Sequence, residues 1–223
     1  MSAIRVRVEQ DDIKRVQRAL WGIRKGSDKA LKNAINRTLT QTKKFMVNET
    51  YNVLNVKKRR IRKSLKKPRR ATQTRLSGSV RSVGRPLNLI EFAAKQNKKG
   101  VSVKIWRNGG RETIKHAFIF QIENTDKQGN KNLQKLVGWR AKQPSKKGYG
   151  GDPSKIFTTK QKKWMSYGAL PPKYRFPIHS LTGPRIQDIM DRRDVITKIE
   201  NKSGIQLKKE LNYQVEQLLR KYG

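Results

Sequence analysis

At 223 residues and 34% hydrophobic content, the chain is long enough for one moderate domain with a real core, though somewhat poor in apolar residues. A net charge of +38, about one uncompensated positive charge per six residues, calls for a polyanionic or acidic partner. The absence of cysteine excludes disulfides, thiolate zinc sites and cysteine nucleophiles. No run of about 18 apolar residues offers a membrane span, and the N-terminal MSAIRVRVEQDD has no apolar signal core.

In chain order, Ile4, Val6 and Val8 alternate with Arg5 and Arg7, the period of a short edge strand. Asp11 or Asp12 caps a helix to about Lys25, with Ile13, Val16, Leu20 and Ile23 on one face and Gly26 ending it. Ser27 opens a longer helix to about Asn52, lined by Leu31, Ile35, Leu39, Thr42, Phe45 and Met46. The two make a helical hairpin with Gly26 in the joint. Asn55 to Lys67 forms a short basic helix on Ile61 and Leu65, stopped by Pro68, and Ala71 to Val83 reads as a polar strand. Three apolar stretches follow: Leu87–Phe92, Val101–Trp106 and Ile114–Ile122. Their alternation, with Asn108-Gly109-Gly110 as a hairpin signal, predicts a β-meander on which the helices pack.

From Glu123 to Arg175 glycine and proline break the chain repeatedly, and the segment reads as a connector or arm. Phe176 to Pro184 re-enters order, and Pro184 suits the first position of a short helix carrying Ile186, Ile189 and Met190. Asp191 and Asp194 mark another helix start. Val195, Ile196, Ile199, Leu207, Leu211, Val215 and Leu218 carry helical spacing almost to the end, with Gly204 a point of kinking or splitting.

Candidate chemistry is sparse. The only histidines are His116 and His179, and no Gly-rich phosphate loop occurs. Asp188, Asp191 and Asp194 spiral around a helix rather than converge, so they read as caps and ion-pair partners, not metal ligands. No catalytic residue, metal ligand or cofactor is expected, and the chain does not read as an enzyme. The candidate contact site for DNA or an acidic partner is the run Lys57, Lys58, Arg59, Arg60, Arg62, Lys63, Lys66, Lys67, Arg69 and Arg70. Around it, Thr50 to Ile122 holds twenty Lys or Arg against only Glu91 and Glu112. No base-reading motif is present, so DNA contact would be non-specific and salt-sensitive. Trp139, Tyr149, Trp164 and Tyr167 lie among lysines. They could stack on bases, but the favoured reading anchors the loop to its own domain or to a neighbouring subunit.

Three stretches together carry a resemblance. They are Ala30-Leu-Lys-Asn-Ala-Ile-Asn-Arg-Thr38, Gly84-Arg-Pro-Leu-Asn-Leu-Ile-Glu-Phe92 through Lys99-Gly-Val-Ser-Val103, and Phe176-Pro-Ile-His-Ser-Leu-Thr-Gly-Pro184. In this order, over about residues 28–218, the chain resembles the bacteriophage minor tail protein Z family of tail completion proteins. The resemblance implies a virion component at the tail neck, assembled in the host cytoplasm late in tail assembly. Its implied partners are other copies in a ring, commonly hexameric, the tail tube and tail terminator proteins, the head–tail connector and non-specifically held double-stranded DNA, with no membrane. It implies no catalytic residues. Glu123 to Arg175 is longer than the family's connector.

The combined expectation is an α+β fold in a single domain over 1–223. A helical N-terminal part (1–67) and C-terminal helices (176–223) pack on a mostly antiparallel central sheet (71–122), and 123–175 forms an extended arm. The alternative function is that of a cellular basic nucleic-acid-binding protein, ribosomal or nucleoid in type, which the composition alone fits equally well.

Overall fold

The computed structural model describes residues 2–23, 25–125, 129, 131–140 and 178–222. The fold is α+β, with helices and antiparallel strands. The chain divides into two compact units. The first comprises 1–53, 57–85 and 185–223, and the second 54–56 and 86–184.

In the first unit, β1 (Ser2–Arg7) pairs antiparallel with β2 (Ser77–Ser82). Alternation decides the faces: Ile4, Val6 and Val80 are buried, while Arg5, Arg7 and Arg81 are exposed. Helix α1 (Gln10–Ala19) begins one residue after Glu9, which makes no side-chain cap, so Asp11 and Asp12 sit in the first turn, where the helix dipole favours them. It stops short of the expected Lys25. The joint to α2 (Gly26–Val53) uses positive φ at Gly22 and Lys25, so Gly26 starts the second helix instead of ending the first. Along α2, Ala30, Leu31, Ala34, Ile35, Leu39 and Met46 are buried, an i, i+4 stripe that packs on α5 (Arg193–Tyr222). On α5 the facing residues are Val195, Ile199, Leu207, Leu211 and Leu218. Gln214, not Val215, fills the turn between the last two. Gly204 does not split α5, which runs unbroken through it.

Polar ties cross this seam. Thr42 Oγ1 donates to Ser203 Oγ at 2.9 Å, Lys202 pairs with the buried Glu49, and Arg37 approaches Glu210 at 3.8 Å. The short helix α4 (Ile186–Met190) starts after Arg185, two residues later than a start at Pro184 would give, and buries its three apolar residues. Helices α2, α4 and α5 pack on β1–β2 within this unit. Gly78 makes that packing possible: a Cβ there would stand 2.3 Å from Leu39 Cδ1 and 3.0 Å from the Arg69 carbonyl.

In the second unit, the first expected strand, Leu87–Phe92, is replaced by a 3-10 turn at Leu89–Glu91. Asn88 Oδ1 accepts from the Ile90 amide there at 3.0 Å. The sheet that does form is β3 (Lys95–Asn97), β4 (Gly100–Val103) and β5 (Glu112–Lys115), with Asn108–Gly110 in the β4–β5 connection as expected. The expected strand Ile114–Ile122 is broken at His116, whose φ is 62°, and its second half joins another sheet. That sheet is β6 (Phe118–Thr125), β7 (Lys131–Arg140) and β8 (Ile178–Ser180). Strands β6 and β7 thus pair antiparallel from Phe118 opposite Gly138 to Thr125 opposite Lys131, where an arm was expected from Glu123 onward; 141–177 lie outside the described residues. Gly138, which reads as a breaker, sits inside β7. A Cβ there would meet the His179 carbonyl at 2.6 Å and the Phe120 ring at 2.7 Å. Gln96 joins the two sheets, accepting from the Ile119 amide at 2.8 Å and donating to the Gly100 carbonyl at 3.1 Å.

Candidate polyanion-binding surface

The basic run Lys57–Arg70 is one stretch in sequence but two structures in space. Its first half is α3 (Lys58–Ser64), shorter than the expected Asn55–Lys67 and ended at Leu65, before Pro68. Ile61 and Leu65 are buried and anchor the segment, and the cations point away from them. Lys57, Arg59, Arg62 and Lys63 are exposed, and Arg60 is half-buried. Lys58 is exposed too, but its Nζ donates to Asn48 Oδ1 at 2.9 Å and lies 4.8 Å from the centre of the Tyr51 ring. Arg62 also faces Lys43 and Lys44 of α2 across a shallow groove.

The second half runs extended along the free edge of β2. The Lys66 amide donates to the Arg81 carbonyl at 2.9 Å, and Arg69 and Ser79 exchange backbone bonds of 2.8 and 3.0 Å. Two bridges fix the register: Leu65 opposite Ser82, and Arg69 opposite Ser79. Regular pairing from Leu65–Ser82 would bring Arg69 opposite Gly78, on the buried face. One extra residue between the bridges, a β-bulge at Lys66–Pro68, moves Arg69 opposite Ser79 and turns it outward. Lys66, Lys67 and Arg70 are exposed beside it.

The outer face of this three-stranded patch gathers Arg5, Arg7, Arg69, Arg75 and Arg81 around Ser77, Gly78 and Ser79. Of the five arginines only Arg69 belongs to the run singled out in the sequence. The alternation of Arg5 and Arg7 against Ile4 and Val6 was a readable signal for two more. Arg75 is held in place by an Nη2 bond of 2.7 Å to the Arg70 carbonyl. Among the described residues no ion pair links any of the five to a carboxylate.

Several acids elsewhere are paired. Asp12 faces Arg15, Glu123 faces Lys131, and both Asp194 oxygens accept from Arg192 at 3.1 Å. That hydrogen-bonded guanidinium holds the Asp194 carboxyl below its ordinary range. Among the described residues no group of three or more His, Asp or Glu is placed to hold a metal ion. No helix among them is long and apolar enough to cross a membrane.

Trp139, expected at the interface with a neighbour, is buried on β7. Tyr149, Trp164 and Tyr167 lie outside the described residues. Sequence reading missed Asn88, whose Oδ1 also accepts from the Val137 amide at 2.9 Å, tying the 3-10 turn to β7. Beside it, the Leu89 amide donates to the Leu181 carbonyl at 3.0 Å and the Gly183 amide to the Leu87 carbonyl at 2.7 Å. Residues 87–89 and 181–183 thus lie side by side. Compared with family models, curated proteins and solved structures, the chain finds no match.

Proposed function

We propose that the protein is a structural, non-enzymatic tail completion component of a long-tailed phage, acting as a ring at the head-proximal end of the tail. The observation that carries this reading is the meeting of residues 87–89 with 181–183. These segments come from two of the three stretches on which the resemblance rests, and they are about ninety residues apart in sequence. Stretches that pair in space act as one feature, which supports treating the resemblance as a whole. The third stretch, Ala30–Thr38, lies on the buried stripe of α2, with Ala30, Ala34 and Ile35 at 0% exposure.

The net charge of +38 fits this role. A ring of such subunits requires acidic neighbours, DNA or both. Backbone-only contact holds a DNA end while still allowing it to leave. The test is to measure the mass of the purified protein at high and low salt, with and without tail-tube fragments and with short DNA. A discrete ring that caps tubes is expected. A monomer that coats DNA or RNA and ignores tubes would contradict the proposal and favour the cellular nucleic-acid-binding alternative.

A further inference from the structure

We infer that the outer face of the β1–β2 patch is a phosphodiester-binding trough that takes a nucleic-acid backbone without reading its sequence. The inference needs only nucleic acid and stands apart from the tail-completion reading.

The register builds the trough. In successive rows, Arg7 lies opposite Ser77, and Arg5 lies opposite Ser79, which has Arg69 on its other side. Arg81, opposite Ala3, follows at one end. The central strand therefore carries small hydroxyl side chains, and arginines stand on both margins. Strand spacing puts the margins about 9.6 Å apart at backbone level, and Arg5 and Arg7 about 6.8 Å apart along the strand. The second distance is comparable with the separation of consecutive phosphates on one strand. Guanidinium forks bind phosphate oxygens bidentately, and the serine hydroxyls add donors at the floor.

The lining also separates occupants. Among the described residues it is Arg, Ser and Gly throughout, with no carboxylate, apolar or aromatic side chain. A protein partner ordinarily needs an apolar centre to its interface, and base recognition needs stacking rings or groove-reading side chains. A repeating phosphate needs neither. The absence of carboxylates from the lining means that no internal ion pair has to be broken first.

The experiment compares Arg5→Gln/Arg7→Gln with Lys198→Gln/Lys209→Gln, a charge-matched change at exposed positions of α5. Each full-length variant is titrated with short duplex DNA and with poly-glutamate across a salt series, and its melting temperature is recorded. For the trough variant, DNA binding should weaken about tenfold and the log–log salt slope should fall by about 1.8, two phosphate contacts' worth. The α5 variant should change affinity less than about twofold, as its charges lie outside the trough. Arg81→Gln, a single exposed change, is the second route if the double variant fails to fold, with a slope decrease of about 0.9. Equal losses in both double variants would reduce the trough to net charge and overturn the inference. Loss of poly-glutamate binding with DNA binding intact would overturn it in favour of an acidic protein. Tube capping is scored separately, so failure here is distinguishable from failure of the tail reading.

Discussion

Helix α3 and the outer face of β1–β2 are both basic, but they become so in different ways. In α3, five cations crowd into neighbouring positions, and a helix scatters such positions around its circumference. Ile61 and Ser64 are buried and Arg60 is half-buried, while Lys58, Arg59, Arg62 and Lys63 are exposed. The sheet face draws its five arginines from positions spread between 5 and 81. Strand alternation, cross-strand register and one bulge then bring them to the same side. Density of charge along a chain is a poor guide to density in space. A sheet concentrates what a helix disperses.

The sharpest way to break this comparison is at the floor of the sheet. Gly78→Val would drive a side chain into Leu39 and towards the Arg69 carbonyl. We expect a cost of about 1–3 kcal/mol from overpacking, read as a fall of several degrees in Tm. DNA affinity should fall with it, because β2 and the Arg69 segment must separate from α2 together. An unchanged Tm would show that the arginine face does not depend on close packing against α2.

Next in size is the contrast between the two basic regions themselves. Replacing Lys58, Arg59, Arg62 and Lys63 with Gln removes four charges, against two in Arg5→Gln/Arg7→Gln. If all four touched phosphate, the salt slope would fall by about 3.6. The expected fall is no larger than the roughly 1.8 given by the two trough arginines, since α3 spreads its cations and Lys58 is engaged with Asn48 and Tyr51. A slope change near the full value would return the principal contact to α3.

The smallest effect concerns a cation that already has its acid. Arg192 holds the Asp194 carboxyl below its ordinary pKa. A depressed carboxyl contributes stability above its unfolded value and loses it as pH falls through the folded one. Asp194→Asn should therefore lower Tm slightly at neutral pH, with the gap to wild type closing in acid, and should leave DNA binding unchanged. A gap that widened in acid would reverse the sign assigned to this pair.

Much of the fold was legible where periodicity is strong. The α2 and α5 stripes, the alternation of β1 and the Asn108–Gly110 connection all follow from spacing and turn chemistry. What failed was set by tertiary structure. Strand β3 is exposed throughout and has no apolar period to detect. Strand β7 contains Gly138, a breaker by rule, kept there because Phe120 and the β8 backbone come too close for a side chain. The split of one expected meander into two sheets turns on the positive φ of His116, a residue type that gives little warning of it. The candidate surface was half legible for the same reason. The run Lys57–Arg70 is plain in the sequence. The pairing of β1 with β2 across some seventy residues, and the bulge that turns Arg69 outward, are not.

The most direct measurement of the central claim is arginine-specific dicarbonyl modification of the full-length protein, followed site by site by mass spectrometry, with and without duplex DNA. The account predicts that DNA protects Arg5, Arg7, Arg69 and Arg81 together, while the exposed Arg18 and Arg220 on the helices react as before. Protection confined to Arg59 and Arg62, with the sheet arginines as reactive as in the free protein, would contradict it.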